Sequence, residues 1–263
     1  HPKIMKPKVS GIMSVHNQHD YVRQSITSIL NQTFTNFEFI IIDDASTDST
    51  PSIIKKFQDP KIKFITNSSR QGLAQSLNLA IKGSRGEFIA RMDADDLSHP
   101  NRLKVQFEFL KFHPDIAVCG TAANLINISG KKMGQKHYPQ IITPLVLMRY
   151  NPIIHPSVMI RKSTLPSSPY NPSFNGAEDY DLWLRLAVDH QLVNLGQTLL
   201  DYRVNPQGIS WSSLKHTQLQ AIKARLKALA QYHYPQWQSI FLIKPILSYL
   251  IPVRIKKLLF NIK

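Results

Sequence analysis

Three carboxylates fall within Asp93-Ala94-Asp95-Asp96. At that spacing they repel one another unless a cation sits among them, and hard oxygen ligands so arranged suit Mg2+ or Mn2+. A cation shared with a diphosphate neutralises the charge that develops on a leaving nucleotide. The plainer use of the same residues is an acidic turn that caps the following helix. A second pair, Asp43-Asp44, is too far back in the chain to share that turn. An acid there can accept hydrogen bonds from a base or ribose. It can also cap a helix, although Thr47 or Asp48 could do that instead. The third cluster is Gly176-Ala177-Glu178-Asp179-Tyr180-Asp181-Leu182-Trp183-Leu184-Arg185-Leu186. Asp179, Leu182, Trp183 and Leu186 follow helical spacing, which puts Asp179 on the packed side. Close to a helix start, the dipole is expected to hold Asp179 ionised, ready to act as a base.

These acids need a frame that brings them together. Residues 9–15 read as a buried strand ending at His16-Asn17, and 37–42 as a second running into Asp43-Asp44. Residues 62–65 make a third, and 87–92 a fourth that delivers the chain to Asp93. Between them, Val22, Ile26, Ile29 and Leu30, then Ile53, Ile54 and Phe57, then Leu73, Leu77 and Ile81 recur at helical spacing. Ser46-Thr47-Asp48 reads as a helix start and residues 83–86 as a helix end. Strands alternating with helices predict an α/β protein with a doubly wound, mostly parallel sheet and helices on both faces. Ligands gather at the carboxyl ends of such strands, so the acids should face one crevice. Beyond Pro100 the alternation weakens. A helix through Leu103, Phe107 and Leu110, strands at 116–128 and 155–160, a helix at 178–188 and a strand at 199–204 are expected. The division that follows is an extension at 1–8, a catalytic domain at 9–210 and a helical basic tail at 211–263. Within the domain, 9–100 would bind the ligand that the strand-end acids face and 101–210 would complete the site.

A chain of 263 residues with 43% hydrophobic content is long and apolar enough for one large core. Cys119 is the single cysteine, so no internal disulfide forms; it reads as an inert core thiol in a reducing compartment. No secretory signal is read at 1–8. The net charge is +15, and after Asp201 ten Lys or Arg occur with no acid, which points the tail to an anionic partner. Neither G-x-G-x-x-G nor G-x-x-x-x-G-K-[ST] occurs, which weakens dehydrogenase and P-loop readings.

Five stretches, in order, resemble glycosyltransferase family 2, inverting enzymes of the GT-A fold. They are Val9-Ser10-Gly11-Ile12-Met13-Ser14-Val15-His16-Asn17, Ile42-Asp43-Asp44-Ala45-Ser46-Thr47-Asp48, Gly86-Glu87-Phe88-Ile89-Ala90-Arg91-Met92-Asp93-Ala94-Asp95-Asp96, His155-Pro156-Ser157-Val158-Met159, and the stretch from Ala177 to Leu186. The resemblance runs over residues 8–205, and the ordered set is specific where single pieces are weak. It implies a nucleotide-sugar site made by Ser14, His16, Asn17, Asp43, Asp44, Arg70, Asp93 and Ala94. Within it Ser14 and His16 would line the nucleobase pocket, and Asp44 would bond the base. Asp93 would face the ribose or a Mn2+ or Mg2+ ion, and Asp95 would be that ion's main protein ligand. Arg70 would reach the diphosphate or donor sugar; its plain alternative is a solvated loop charge. Asp179 would be the general base. Family members commonly carry Pro at Ser14 and Tyr at His16, so a stacking ring is lost and the base stays open, with a UDP-sugar favoured. The Gln-x-x-Arg-Trp signature of processive synthases is absent, which favours addition of one sugar to a glycan or lipid-linked acceptor. His155 reads as a structural histidine before Pro156 rather than a diphosphate or metal contact.

In the tail, Leu219, Ile222, Leu226 and Leu229 form a helical stripe with Lys223 and Lys227 off it. From 240 onward the chain is apolar with Lys244, Arg254, Lys256, Lys257 and Lys263 interspersed. A membrane span needs about 20 uninterrupted apolar residues, and Lys244, Pro245 and Pro252 interrupt this one. Residues 239–263 are expected to lie on an anionic membrane surface, or else to pack on the domain or in a dimer. A cytoplasmic protein, peripheral on the inner face of the cell membrane, is the corresponding expectation. Two competing readings are a nucleotidyltransferase, which lacks its basic Gly-rich triphosphate loop here, and a basic nucleic-acid-binding protein. No nucleic acid is expected, because the charge sits in an apolar tail rather than among stacking aromatics.

Overall fold

The computed structural model describes residues 6–204 and 214–251. Strand β1 (Val9–Val15) leads through helix α1 (Val22–Leu30) to β2 (Phe37–Asp43). Then come α2 (Thr50–Ile54), β3 (Ile62–Thr66), α3 (Leu73–Gly83) and β4 (Phe88–Asp93). β1, β2 and β4 are buried almost end to end because helices cover both faces of the sheet. Successive side chains alternate between those faces. Ile12, Ile40 and Ile42 pack with Leu77 and Ile81 of α3, while Met13, Phe39 and Ile41 pack with Ile26 and Ile29 of α1. Parallel register sets Ser14 beside Asp93 and Val15 beside Asp43, so backbone pairing alone gathers the strand-end acids. Gly86 permits this approach: a Cβ there would lie 2.5 Å from the backbone nitrogen of Ser10.

The second half contains β5 (Leu97–Ser98), α4 (Arg102–Phe112), β6 (Ile116–Ile126), β7 (Lys132–Lys136) and β8 (Ile141–Ile142). α5 (Pro144–Arg149), β9 (Met159–Arg161), α6 (Glu178–Leu186) and β10 (Gln191–Arg203) follow. The sheet order is β3-β2-β1-β4-β9-β6-β10-β5, with β7 paired to β6 and β8 to β10. The principal ladders, β1–β2, β1–β4, β2–β3 and β6–β10, are parallel, and the short strands β5, β7, β8 and β9 pair antiparallel.

Three expected elements change. The strand expected at 155–160 is instead a single tight turn, His155–Ser157, followed by β9. Pro156 has no N–H for a ladder, and Ser157 Oγ donates to the Ile154 carbonyl. β6 stops at Ile126 because Asn127 Oδ1 accepts from the Ser129 and Lys131 N–H groups and starts a hairpin. β10 begins eight positions earlier than residue 199, and irregular register with β6 between Leu195 and Leu200 masks its alternation.

α7 (Leu214–Gln231) belongs to the core that also holds α6: Ile222, Ala224, Ala228 and Leu229 are buried there. Arg225 Nε donates to the Tyr180 hydroxyl at 2.7 Å, and Lys227 lies 3.7 Å from Asp181. Two of the basic residues assigned to an outside partner therefore serve the inside. α8 (Ile243–Leu250) differs, since none of its residues is buried. Among the described residues no helix is long and apolar enough to cross a membrane. Residues 211–213 and 252–263 of the expected basic tail lie outside the described residues.

Candidate active site

A cleft of about 650 Å³ opens where β1, β2 and β4 end, a size that suits a nucleotide-linked ligand. Ser14, His16, Asn17 and Asp44 line it from the first two strand ends, and Asp93, Ala94 and Asp95 from β4. Arg70, exposed, and Asp179 also reach it. Asp43 does not. Its side chain is fully buried, Oδ1 accepts from the Ser46 N–H, and Oδ2 has no partner among the described residues.

Local hydrogen bonds shape the side of the cleft formed by β1 and β2. His16 Nδ1 lies 2.9 Å from the Asp44 carbonyl oxygen, which can only accept, so that nitrogen carries the ring proton. Asn17 takes a left-handed φ of 51°, which Asn tolerates, and its Oδ1 accepts from the Thr47 N–H. The Asp44 carboxylate accepts from Asn67 Nδ2 and the Gln71 and Gly72 N–H groups, each at 2.8 Å. Burial alone would raise its pKa, but these bonds together with Ser76 hold it below the ordinary carboxylate range. Asp44 thus ties the start of α3 to the end of β2.

The acids after β4 form the electrostatic centre. Asp93, Asp95 and Asp96 each offer one oxygen, all within 4.8 Å of one another. Burial, then Asp93, pushes Asp95 up to about 6. Burial, then Asp95 and Asp93, pushes Asp96 well above its ordinary value. Asp96 Oδ1 accepts from the Arg203 N–H while Oδ2 is buried without a partner among the described residues. Hard, crowded oxygen donors, two of them with raised pKa values at Asp95 and Asp96, fit a divalent cation, which would relieve their repulsion. Arg91 apportions the work. Its guanidinium grips both Asp93 oxygens, at 2.6 and 2.5 Å, leaving Asp95 the less committed ligand.

Asp179 sits at the start of α6. Asn151 Nδ2 donates to its Oδ2 at 2.9 Å, and the Tyr180 N–H donates to Oδ1. Burial outweighs those bonds and raises its pKa above the ordinary carboxylate value. Burial and then Asp179 push neighbouring Glu178 up to about 7. Asp181, the third acid of the cluster, is structural. It is fully buried and bonded to Arg185, Lys227 and Tyr232. His155 Nε2 pairs with the Tyr170 hydroxyl at 2.9 Å, and burial followed by Arg91 depresses its pKa well below the usual value. The imidazole is thus neutral and bonded, and His155 also lines the cleft.

Sequence reasoning missed Arg91, Arg203 and Asn151. Arg91 had a signal, since it stands two residues before Asp93 in a strand and so shares its face. Arg203 was counted only as tail charge. In the fold its Nε donates to the Asp95 carbonyl, its Nη1 to the Asn127 and Ile128 carbonyls, and its guanidinium lies over the Tyr21 ring. Nothing near Asn151 marks it, because its partner lies 28 residues on.

A helix-covered sheet of this order, with acids at the end of β4, has the architecture of the GT-A glycosyltransferases. The family model for Glycosyl transferase family 2 matches residues 10–165. The chain belongs to that family. The O-antigen biosynthesis glycosyltransferase WbnJ of Escherichia coli is 35% identical over 218 residues, covering 79% of this chain and 84% of the relative. EpsE of Bacillus subtilis (strain 168), described as a glycosyltransferase, is 33% identical over 95% of this chain and 91% of its own. WfgD of Escherichia coli, a UDP-Glc:alpha-D-GlcNAc-diphosphoundecaprenol beta-1,3-glucosyltransferase, is 32% identical, covering 81% and 83%. Among solved structures, S. aureus TarS 1-349 in complex with UDP matches with TM-score 0.71 at 19% identity, over 97% of this chain and 75% of that one. The mannosyltransferase PcManGT of Pyrobaculum calidifontis, in complex with GDP-Man and Mn2+, matches with TM-score 0.60 at 18% identity, over 98% and 80%. These two likenesses carry the fold. With family membership, the nucleotidyltransferase and nucleic-acid-binding readings fall away.

Proposed function

We propose that this glycosyltransferase inverts configuration, depends on Mn2+ or Mg2+, and moves one sugar from a UDP-sugar to a lipid-linked glycan. The observation that carries this reading is that Asp179, with its raised pKa, lines the same cleft as the acids after β4. His16 and Ser14 flank the base, and Arg70 meets the diphosphate or donor sugar. A divalent cation held chiefly by Asp95, with Asp93, would neutralise charge on the departing diphosphate. The acceptor hydroxyl gives its proton to Asp179 as its oxygen attacks the anomeric carbon. The bond to the nucleoside diphosphate breaks on the opposite face, which inverts the centre. A raised pKa makes Asp179 a stronger proton acceptor than an ordinary carboxylate, and its bonds from Asn151 and the Tyr180 N–H hold the carboxylate in place. The named activity of WfgD supports a UDP-sugar and a diphospholipid-linked acceptor.

The test is a donor-hydrolysis and binding screen over UDP-, GDP- and dTDP-sugars with Mn2+ or Mg2+. Metal-dependent turnover or binding of a UDP-sugar is expected. Failure to bind any nucleotide would contradict the proposal, and a preference for GDP or dTDP would overturn its choice of base.

A further inference from the structure

We infer that the segment from Trp237 to Ile251 is a docking surface for an anionic phospholipid bilayer. Gln236–Leu242 is a helix of three residues per turn that runs directly into α8. In the first part, residues three apart eclipse, and in α8 residues three and four apart share a face. Trp237, Ile240, Ile243, Leu247 and Leu250 therefore fall on one outer line. They are 62%, 59%, 56%, 58% and 68% exposed. The inner side of the same segment is anchored: Gln238 and Leu242 are buried, and Ser248 Oγ accepts from Gln218 Nε2 of α7 at 2.8 Å. The apolar line is thus presented by a seated element.

Charge identifies what covers it. Arg149 lies over the Phe241 ring at 5.1 Å, Lys215 over the Tyr249 ring at 5.8 Å, and exposed Lys244 stands within α8. No acidic residue follows Asp201 anywhere in the chain. Apolar side chains set among cations, with no acid on the segment, match a surface of acyl chains under anionic headgroups. A second copy meeting this face about a two-fold axis would set cations against cations. The chain beyond it repeats the pattern in sequence, with Arg254, Lys256 and Lys257 among Val253, Ile255, Leu258 and Leu259.

The surface also connects to the cleft. Phe241 packs under Arg149 of α5, and Asn151, two residues on, holds Asp179. Docking here would keep the base close to a membrane-borne acceptor, a consequence that rests on the lipid-linked acceptor proposed above.

Sedimentation of the full chain with phosphatidylglycerol-containing vesicles, against pure phosphatidylcholine vesicles, tests the surface. Binding to the first and not the second is expected, weakened by salt. The combined change Ile243→Ser, Leu247→Ser and Leu250→Ser alters only exposed positions. It should weaken binding at least about tenfold while thermal unfolding and donor hydrolysis stay at the parent level. Lys215→Gln with Lys244→Gln should weaken it as well. Equal binding by parent and triple variant, or equal binding to both vesicles, would overturn the inference. So would a triple variant that loses only self-association, which would assign the face to a second copy. Donor hydrolysis without vesicle binding would defeat this inference alone, and vesicle binding without nucleotide binding would defeat the proposed function alone.

Discussion

Glu178 and Asp179 stand side by side at the start of α6, and burial raises both carboxyls, Glu178 to about 7. For catalysis the sign is direct, since a base works when deprotonated. Transfer should therefore rise with pH and level off with a midpoint above the ordinary aspartate value of 3.8. A pH profile of kcat whose acid limb lies at or below that value would contradict the assignment. For stability the folded state holds its proton after the unfolded chain has released it. Glu178 therefore favours folding below its ordinary 4.5, and that contribution is lost as pH rises to about 7. Glu178→Gln keeps the bond accepted from the Gly176 N–H. It should raise stability above that window by up to about 3 kcal/mol, measured by urea unfolding at two pH values. The types and positions of Asp95 and Asp179 were legible from sequence, but their ionisation was not. A pattern places an acid near a helix start, whereas its pKa depends on burial by segments distant in sequence. Asp43 shows the same limit: both it and Asp44 were expected in the nucleotide-sugar site, yet only Asp44 reaches the cleft.

At the scale of elements, the first half was readable because its strands are short apolar runs, and those of β1, β2 and β4 lead straight into the polar residues His16, Asp44 and Asp95 that line the cleft. β10 was only half read, because register shifts with β6 between Leu195 and Leu200 break its period of two. β9 was misread because His155 and Pro156 look extended, while Ser157 closes a turn. The junction that most directly shapes the Asp44 side of the cleft is the start of α3. There Gly72 has φ +87°, and its N–H donates to Asp44. Open space surrounds a Cβ at Gly72, so substitution is limited by backbone conformation and not by contact. Gly72→Ala should cost about 1–3 kcal/mol and weaken donor binding, measured together by thermal unfolding and nucleotide titration. An alanine variant with unchanged stability and affinity would show that Asp44 does not depend on this turn.

Across the whole molecule, sequence alone assigned everything after residue 210 to one basic tail, and the structure divides it. α7 is core: Ile222, Ala224, Ala228 and Leu229 are buried, and Arg225 bonds Tyr180. Amphipathic spacing could not reveal this, because a stripe of Leu and Ile has the same period whether it meets a domain or a membrane. Removing 243–263 should leave thermal unfolding nearly unchanged, whereas removing 214–263 should abolish cooperative folding. Equal tolerance of both cuts would mean that α7 contributes little to the core. The proposed mechanism divides labour across one cleft, with Asp95 on the cation and donor side and Asp179 carrying the proton. The most direct test measures Asp179→Asn for both donor affinity in Mn2+ and sugar transfer, with Asp95→Ala beside it. Donor affinity close to the parent and transfer lowered at least about a hundredfold are expected for Asp179→Asn, and loss of metal-dependent donor binding for Asp95→Ala. Transfer that persists in Asp179→Asn, or is lost only in step with donor binding, would contradict it.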